Sequence, residues 1–440
     1  MASPRLTSRF LTISRAATLI TIAVMAWYAN LPLSLPQFDT ASLPLPYLAP
    51  AVSLAEVTAL IAIAAYALAG WPNFKTLRFS WRKIFTLSLV GLILFETLSI
   101  TWSVQRGLAA MQTLHVVVWA AFALMIACAD WSASAMTLAL LAGLLANSLA
   151  GFIEIGMQPL VQVIPQNSGL SVVFNGAERW LRVYGLSPHP NLLGGHLAVG
   201  IILIPGLSVP HRWIKRLGPI AAWLIIGATL LLTFSRSAWL AVIGGGIAAL
   251  IALARGRLLN RLRLRSLLVL IGAGLIVVSV FVLSFQPFLV NRLEVTTVPF
   301  ETRAITDRIS TARLALQIFA AQPLTGVGIS QFIVVAARYL TGTSLDWVHN
   351  VPLLAAAELG IAGIVLIVSL TISLGAIGVQ RWRTGSISIW QALVGGGLIA
   401  LIVVMQFDHY VWTIPQGGLL WAWLVGWWLR EDAADHMTAS

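Results

Sequence analysis

Residues 217–257 read LGPIAAWLIIGATLLLTFSRSAWLAVIGGGIAALIALARGR. Two apolar runs, near 217–234 and 237–254, are divided only by Ser235-Arg236-Ser237. Each run is long enough to cross a bilayer core as a helix, which takes roughly 17–25 residues. A charge held at mid-bilayer costs about 2.5–3.5 kcal/mol, and less near the interface. Arg236 therefore belongs at a membrane surface, in a tight turn between two spans. There it either snorkels to the headgroups or is aimed at a lipid phosphate from below.

The pattern recurs along the 440 residues, near 11–29, 47–70, 84–101, 107–128, 133–156, 189–208, 266–286, 351–379, 388–407 and 412–429. This predicts an all-α polytopic membrane protein of about twelve transmembrane helices. Composition agrees, with 59% hydrophobic and 10% charged residues, against about 45–50% and 25% in soluble domains. The first stretch follows Arg5, Arg9 and Arg15 as a signal peptide would. It ends in Trp27-Tyr28-Ala29-Asn30 without a small-x-small cleavage site, so it is expected to remain as an anchor. Cys128 is the single cysteine, which excludes an intramolecular disulfide.

Orientation follows from the basic residues, which accumulate in cytoplasmic loops. With the N-terminus inside, 18 of the 27 Lys and Arg fall on inner segments. These include Lys75, Arg78, Arg82 and Lys83; Arg212, Lys215 and Arg216; the Arg255–Arg265 group; Arg381, Arg383; and Arg430. Both ends are expected to be cytoplasmic, and most of the net charge of +12 is a topology signal. A nucleic-acid partner is dismissed on that ground.

The other nine, Arg106, Arg179, Arg182, Arg236, Arg292, Arg303, Arg308, Arg313 and Arg338, fall outside against the trend. Most occupy two long outer loops, 157–188 and 287–350, expected to contain amphipathic helices. Loops longer than about 12–15 residues are usually functional or disordered. The planar guanidinium suits bidentate bonds to phosphate, so the expected guest is an anion.

Five motifs share this outer face. Arg182-Val-Tyr184-Gly185 leads through Pro188-His189-Pro190-Asn191 into a helix start, whose free N–H groups suit an anion; Gly194 and Gly195 permit close packing. The Ser235-Arg236 turn is the second. Arg303 to Phe319 carries Asp307, Arg308 and Arg313 with Ile309, Ala312, Leu316 and Phe319 at helical spacing, an interfacial amphipathic helix; Gly326 and Gly328 then mark a turn. In the fourth, Asn350 and Pro352 cap and start a helix, placing His349 just outside it, with Glu358 about two turns inside. The last is the hairpin Asp408-His409-Tyr410. A loop imidazole is the readiest general base available here.

These residues resemble the O-antigen ligase and O-antigen polymerase superfamily over roughly 150–430. The signature is Arg182…Gly185…His189-Pro190-Asn191-Leu-Leu-Gly194, Ser235-Arg236, Arg308…Pro323-Leu-Thr-Gly326-Val-Gly328, and His349-Asn350 followed after nine residues by Gly360-x-x-Gly363. The last element is similar to the ligase branch. The resemblance implies an inverting, metal-independent glycosyltransferase of the bacterial inner membrane with a periplasmic active site, acting in lipopolysaccharide biosynthesis. It would move a glycan from undecaprenyl pyrophosphate to an acceptor hydroxyl, on lipid A–core in the type case, without a cofactor. By the same resemblance, His349 activates the acceptor, Arg182 and Arg308 hold the pyrophosphate, and Arg236 sits at the family turn. Tyr184, His189, Asn191, Arg303, Asn350, Asp408 and His409 are expected to bind substrate. Ala312 and Ile364 depart from the family pattern and bear on the acceptor.

On this basis the chain divides into N-terminal helices (1–156), a catalytic membrane region (157–430) and a cytoplasmic tail (431–440). The outer loops carry no Asp-x-Asp or carboxylate cluster, and arginines in place of a metal are the simpler account of charge stabilisation. A polymerase extending lipid-linked repeat units stays open. So do a lipid-oligosaccharide transporter, which predicts internal repeats, and a metal site from His189, His196, His349 and His409.

Overall fold

The computed structural model describes residues 4–33, 51–70, 81–161, 163, 171–175, 178–207, 213–259, 264–293, 299–339 and 346–430. The inner basic residues Lys75, Arg78, Arg212, Arg261 and Arg263, parts of both long loops, and the tail 431–440 lie outside the described residues. The chain is a helical membrane protein with almost no sheet.

All twelve apolar stretches carry a helix: α1 (Pro4–Val24), α2 (Leu54–Leu68), α3 (Trp81–Ser99), α4 (Arg106–Cys128), α5 (Ala133–Ile155), α7 (Pro190–Leu203), α8 (Trp213–Leu232), α9 (Arg236–Arg255), α10 (Leu264–Leu293), α13 (Val351–Thr384), α14 (Ile389–Met405) and α16 (Pro415–Leu429). Among the described residues, five are long and apolar enough to cross a membrane, within α4, α5, α9, α10 and α13; shorter apolar helices accompany them. Short α6 (Gln158–Val161), α12 (Phe332–Ala336) and α15 (Tyr410–Thr413), with α11 (Pro299–Ala321), fill the connections.

Small residues let the helices approach closely, as association within lipid requires. A Cβ on Gly143 of α5 would fall 1.7 Å from the Ala23 carbonyl of α1, and one on Gly245 of α9 would fall 2.5 Å from the Gly396 carbonyl of α14. The innermost helix is α7, every residue of which is buried. A sequence with no polar face is what such a position demands.

The connections sort into two groups. At one end Tyr28 N donates to Leu186 O, Ser187 Oγ to Ala26 O, Gln416 Nε2 to Trp27 O, Val183 N to Leu232 O, Gln105 N to Gln331 Oε1 and Asn350 Nδ2 to Gln406 O. These bonds gather the segments assigned above to the outer face. At the other end Arg82 donates to Leu429 O, Arg381 to Trp428 O and Arg430 to Trp131 O, while Arg255 stacks over Trp382. Basic residues thus close helix ends, where carbonyl groups lack intrahelical partners.

One loop expectation is corrected. Between 157 and 188 the described residues form no amphipathic helix beyond the one turn of α6. They form a hairpin of β1 (Val172–Asn175) on β2 (Glu178–Leu181), with Val173 opposite Trp180 and Asn175 opposite Glu178. The β-branched and aromatic run Val172-Val173-Phe174 explains the strand, and Asn175-Gly176 is a hairpin signal in the sequence. A second short pair joins Asn30–Pro32 to Ala51–Ser53.

In α11 the buried stripe is Thr311, Leu314, Ala315 and Ile318, whereas Ile309 and Leu316 of the expected stripe are 46% and 55% exposed. An interfacial helix has apolar neighbours on two sides, protein and lipid. Periodicity finds the apolar positions without telling one side from the other.

α13 is interrupted. Gly360 has φ 61° and ψ −158°, and the break frees Ala357 O and Ile361 N from each other. The loop before α12 takes up both, Val327 N donating to Ala357 O at 3.1 Å and Ile361 N to Pro323 O at 2.7 Å; Gly328 N also donates to Glu358 O at 2.8 Å. Gly326 and Gly328, at φ 62° and 103°, supply the backbone shape for this docking.

Candidate active site

The site is built where three connections meet: the entry to α7, the segment before α13, and the hairpin between α14 and α16. His189 caps α7, its Nδ1 accepting from Asn191 N at 3.2 Å, with Pro190 at the first helical position. That cap aims the Asn191 amide inward as a bridge. Arg182 Nη2 donates to Asn191 Oδ1 at 2.5 Å, and Asn191 Nδ2 donates to Asp408 Oδ2 at 2.7 Å. Arg182 Nε donates to Thr233 O at 2.7 Å, which ties the same guanidinium to the turn between α8 and α9.

That turn depends on Phe234, which takes φ 48° and is fully buried against Phe281 and Phe285. A bulky residue in the left-handed region is a genuine outlier. Aromatic packing holds it there.

The imidazoles lie beside this bridge. Asn350 caps α13, its Oδ1 accepting from Leu353 N at 2.9 Å, and so sets His349 just ahead of the helix. His349 Nδ1 lies 3.0 Å from Trp347 O. A carbonyl can only accept, so in the neutral ring Nδ1 carries the proton and Nε2 the lone pair. His349 Nε2 lies 3.7 Å from Asp346 Oδ2, and His409 Nε2 lies 3.9 Å from Asp346 Oδ1. The two rings are perpendicular with centroids 5.3 Å apart. His409 Nδ1 lies 2.7 Å from Thr413 Oγ1, and His409 N donates to Asp408 Oδ1 at 2.9 Å.

Burial drives His409 toward its neutral form, outweighing the pull of Asp408 and Asp346. Burial, and then the Arg182 charge, lower His189 in the same way. For Asp408 burial acts upward, but the surrounding positive charge, of which Arg308 is the permanent part, overcomes it and keeps the carboxyl below its ordinary range. Burial thus favours the neutral forms of His189 and His409, while the nearby positive charge favours the anionic form of Asp408.

Arg308 reaches the cluster from α11, its charge acting on both Asp408 and His409. Arg236 starts α9 and donates through Nη1 to Arg292 O at 2.9 Å. Arg303 lies one turn before Arg308 with its side chain 66% exposed, 3.9 Å from Asp307. Tyr184 packs on Val161, Val172 and Leu181, and its backbone N donates to Glu154 Oε2 at 3.1 Å. His196 lies mid-helix in α7, Nδ1 2.9 Å from Leu192 O. Of the nine arginines assigned outside, Arg106, Arg303, Arg313 and Arg338 are exposed, while Arg179, Arg182 and Arg292 are buried and Arg236 and Arg308 half-buried.

Three participants escaped the sequence. Asp346, which no sequence pattern singles out, lies between both imidazoles. Thr413 holds the His409 ring. Glu96, in an apolar stretch of α3, is fully buried beside Glu358 with no hydrogen bond to its carboxyl among the described residues. Glu358 accepts from Trp412 Nε1 at 3.0 Å and Phe332 N at 3.3 Å, and so braces the hairpin against the α12 loop.

Directly beneath lies an apolar cavity of about 360 Å3, whose upper lining includes Val351, Pro352, Val411 and Trp412, neighbours in sequence of His349 and His409. It descends between α3, α4 and α13 to Val368 and Ile372, which are about half exposed, so it opens on the apolar side of the bundle. Specific ligand pockets span roughly 300–1,000 Å3.

A helical membrane protein with a histidine–carboxylate–arginine cluster above an apolar cavity is the class that fold and site define. Residues 220–368 match the family model described as O-antigen ligase, which supports the O-antigen ligase superfamily for that region of the chain. The match spans roughly a third of the chain, from α8 through the Ser235-Arg236 turn and His349 to just past Gly360. Among curated proteins none matches. The protein is thus a membrane enzyme of the O-antigen ligase and polymerase type.

Proposed function

We propose that this protein is a glycosyltransferase that moves a glycan en bloc from undecaprenyl pyrophosphate to an acceptor hydroxyl, lipid A–core in the type case, with inversion. The observation that carries the proposal is the apolar cavity rising to a polar centre in which His349 turns Nδ1 to Trp347 O and Nε2 toward Asp346. A lipid-linked substrate needs such a pair of environments, one for its chain and one for its charged head.

In the reaction, the acceptor oxygen attacks the anomeric carbon as the bond to the pyrophosphate oxygen breaks. The hydroxyl proton passes to His349 Nε2, and the electron pair leaves with the lipid pyrophosphate. Asp346, 3.7 Å from that nitrogen, is placed to stabilise the charge the ring gains. The arginines, Arg182 acting on His189 and Arg308 on His409, offset the charge growing on the leaving oxygens, so the transfer asks for no metal cofactor. The polar end faces the periplasm of a bacterial inner membrane, about twelve spans cross it, and both termini are cytoplasmic.

The test is purified full-length protein in detergent, given undecaprenyl-pyrophosphate glycan and a core acceptor. A single transferred chain supports the proposal. A ladder of products indicates a polymerase instead, and a donor that is never consumed overturns the transferase assignment.

A further inference from the structure

We propose that Asp346, His349 and His409 form a binding site for a divalent transition-metal ion of the zinc class, and that the ion competes with the acceptor hydroxyl for His349 Nε2. The competition half rests on the transferase proposal above; the binding half does not.

The donor atoms of the three side chains lie within 4.8 Å of one another. The two measured imidazole–carboxylate separations are 3.7 and 3.9 Å, one to each carboxylate oxygen. Zinc bonds of about 2.0–2.2 Å arranged tetrahedrally set donor atoms about 3.4 Å apart. Side-chain rotation that draws the donor atoms together from within 4.8 Å of one another would close the site.

The outer partners are those a metal site requires. A ligating imidazole normally donates its other ring N–H to a carbonyl or similar acceptor, which fixes both tautomer and ring plane. His349 does so to Trp347 O. Thr413 Oγ1 donates to His409 O at 3.3 Å, which leaves its lone pairs for the His409 Nδ1–H. Both Nε2 lone pairs then point toward a carboxylate, an arrangement that repels until a proton or a cation lies between. Asp346 is itself oriented, its Oδ1 accepting from Trp347 N at 2.8 Å. Imidazole and carboxylate together suit zinc, nickel and copper ions better than magnesium. The Arg308 charge opposes a cation here, and the Asp408 carboxylate, close to both imidazoles, offsets it.

The ligands come from two connections, Asp346 and His349 before α13 and His409 after α14, so the ion would clamp one to the other. Of the four histidines that sequence alone offered for a metal, geometry retains His349 and His409 and replaces the others by Asp346.

The experiment titrates full-length, metal-free protein in detergent micelles with ZnCl2 by calorimetry and with Co2+ by visible absorbance. One ion per chain is expected, with the intense absorbance of low-coordinate Co2+. Asp346→Asn and His409→Gln should each weaken binding by at least about tenfold, since loss of even an outer partner costs 10–100-fold. Asp346→His, which restores a third ligand, should keep it, and thermal unfolding midpoints show that each variant is folded. Wild type binding no more tightly than Asp346→Asn or His409→Gln overturns the site. In the transfer assay, Zn2+ should inhibit over its own binding range and a chelator should restore activity. Bound Zn2+ that leaves an active enzyme unslowed overturns the competition. Were metal-free wild type inactive, the transferase assignment would fall while the titration still decided the site.

Discussion

The hydrogen bond from His349 Nδ1 to Trp347 O does more than hold a ring. It puts the lone pair on the nitrogen that faces Asp346, and so settles which atom can take a proton. General-base catalysis is typically worth about 10²–10⁴-fold. His349→Ala should therefore lower transfer by that factor while donor binding, measured separately on the lipid pyrophosphate, stays largely intact; unchanged product formation would refute the assignment. Asn191 plays a different part. It touches both Arg182 and Asp408 and matches their opposite charges across one amide. Leaving buried polar partners unmatched costs about 1–3 kcal/mol for each group. Asn191→Ala should lower both the thermal midpoint and the transfer rate, whereas Asn191→Asp should place a second carboxylate against Asp408 and be the more damaging. A rate unchanged in both variants would show that the bridge is not used.

Among the elements, α13 bears the most on the site, because its N-terminus holds His349 and its break at Gly360 receives the 323–328 loop. The backbone there lies in a region that essentially only glycine occupies, and a non-glycine residue so placed costs of order 1–3 kcal/mol. A Cβ would also fall 2.6 Å from the Leu324 backbone, which cannot yield as a side-chain end would. Gly360→Ala should lower the unfolding midpoint clearly. Gly375, in the same helix with nothing within 4 Å of the added carbon, should accept alanine with no loss; equal effects at the two positions would refute the account. The helices themselves were legible because a span announces itself by length and apolarity, and the cap at Asn350 because Pro352 follows it, whereas the cap at His189 was not, the prolines around it reading as an extended entry to a helix from Asn191. The break at Gly360 was not, since its cause is a loop some thirty residues earlier in the chain. Asp346 was missed for a like reason: its meaning depends on His409, more than sixty residues away, and a lone acidic residue in a loop carries no period. The β1–β2 hairpin, by contrast, had its signal in Asn175-Gly176.

For the whole molecule, hydrogen bonds gather one set of connections at one end and the basic residues close the other, and the sidedness of these ends is open to direct test. With Cys128 replaced by alanine, a single cysteine at the exposed Arg303 should react with a membrane-impermeant maleimide in spheroplasts, whereas one at Gly385 should react only after permeabilisation; the opposite pattern would invert the topology. The cavity offers the more searching test, because it connects the site to the membrane. Ala355 lines it and Ala120 faces it from α4. Replacing either by phenylalanine fills space a lipid chain would occupy and leaves His349 and the arginines untouched. If the chain binds there alike in ground and transition states, the loss is one of uniform binding, raising KM with kcat little changed. A loss of 1.4 kcal/mol of chain binding would raise KM about tenfold. A donor analogue with a chain too short to reach the cavity should show no such increase. Overpacking a core typically costs 1–3 kcal/mol, so the unfolding midpoint of each variant separates general damage from a blocked cavity. Equal effects on long- and short-chain donors, with the midpoint unchanged, would show that the lipid chain lies elsewhere on the bundle.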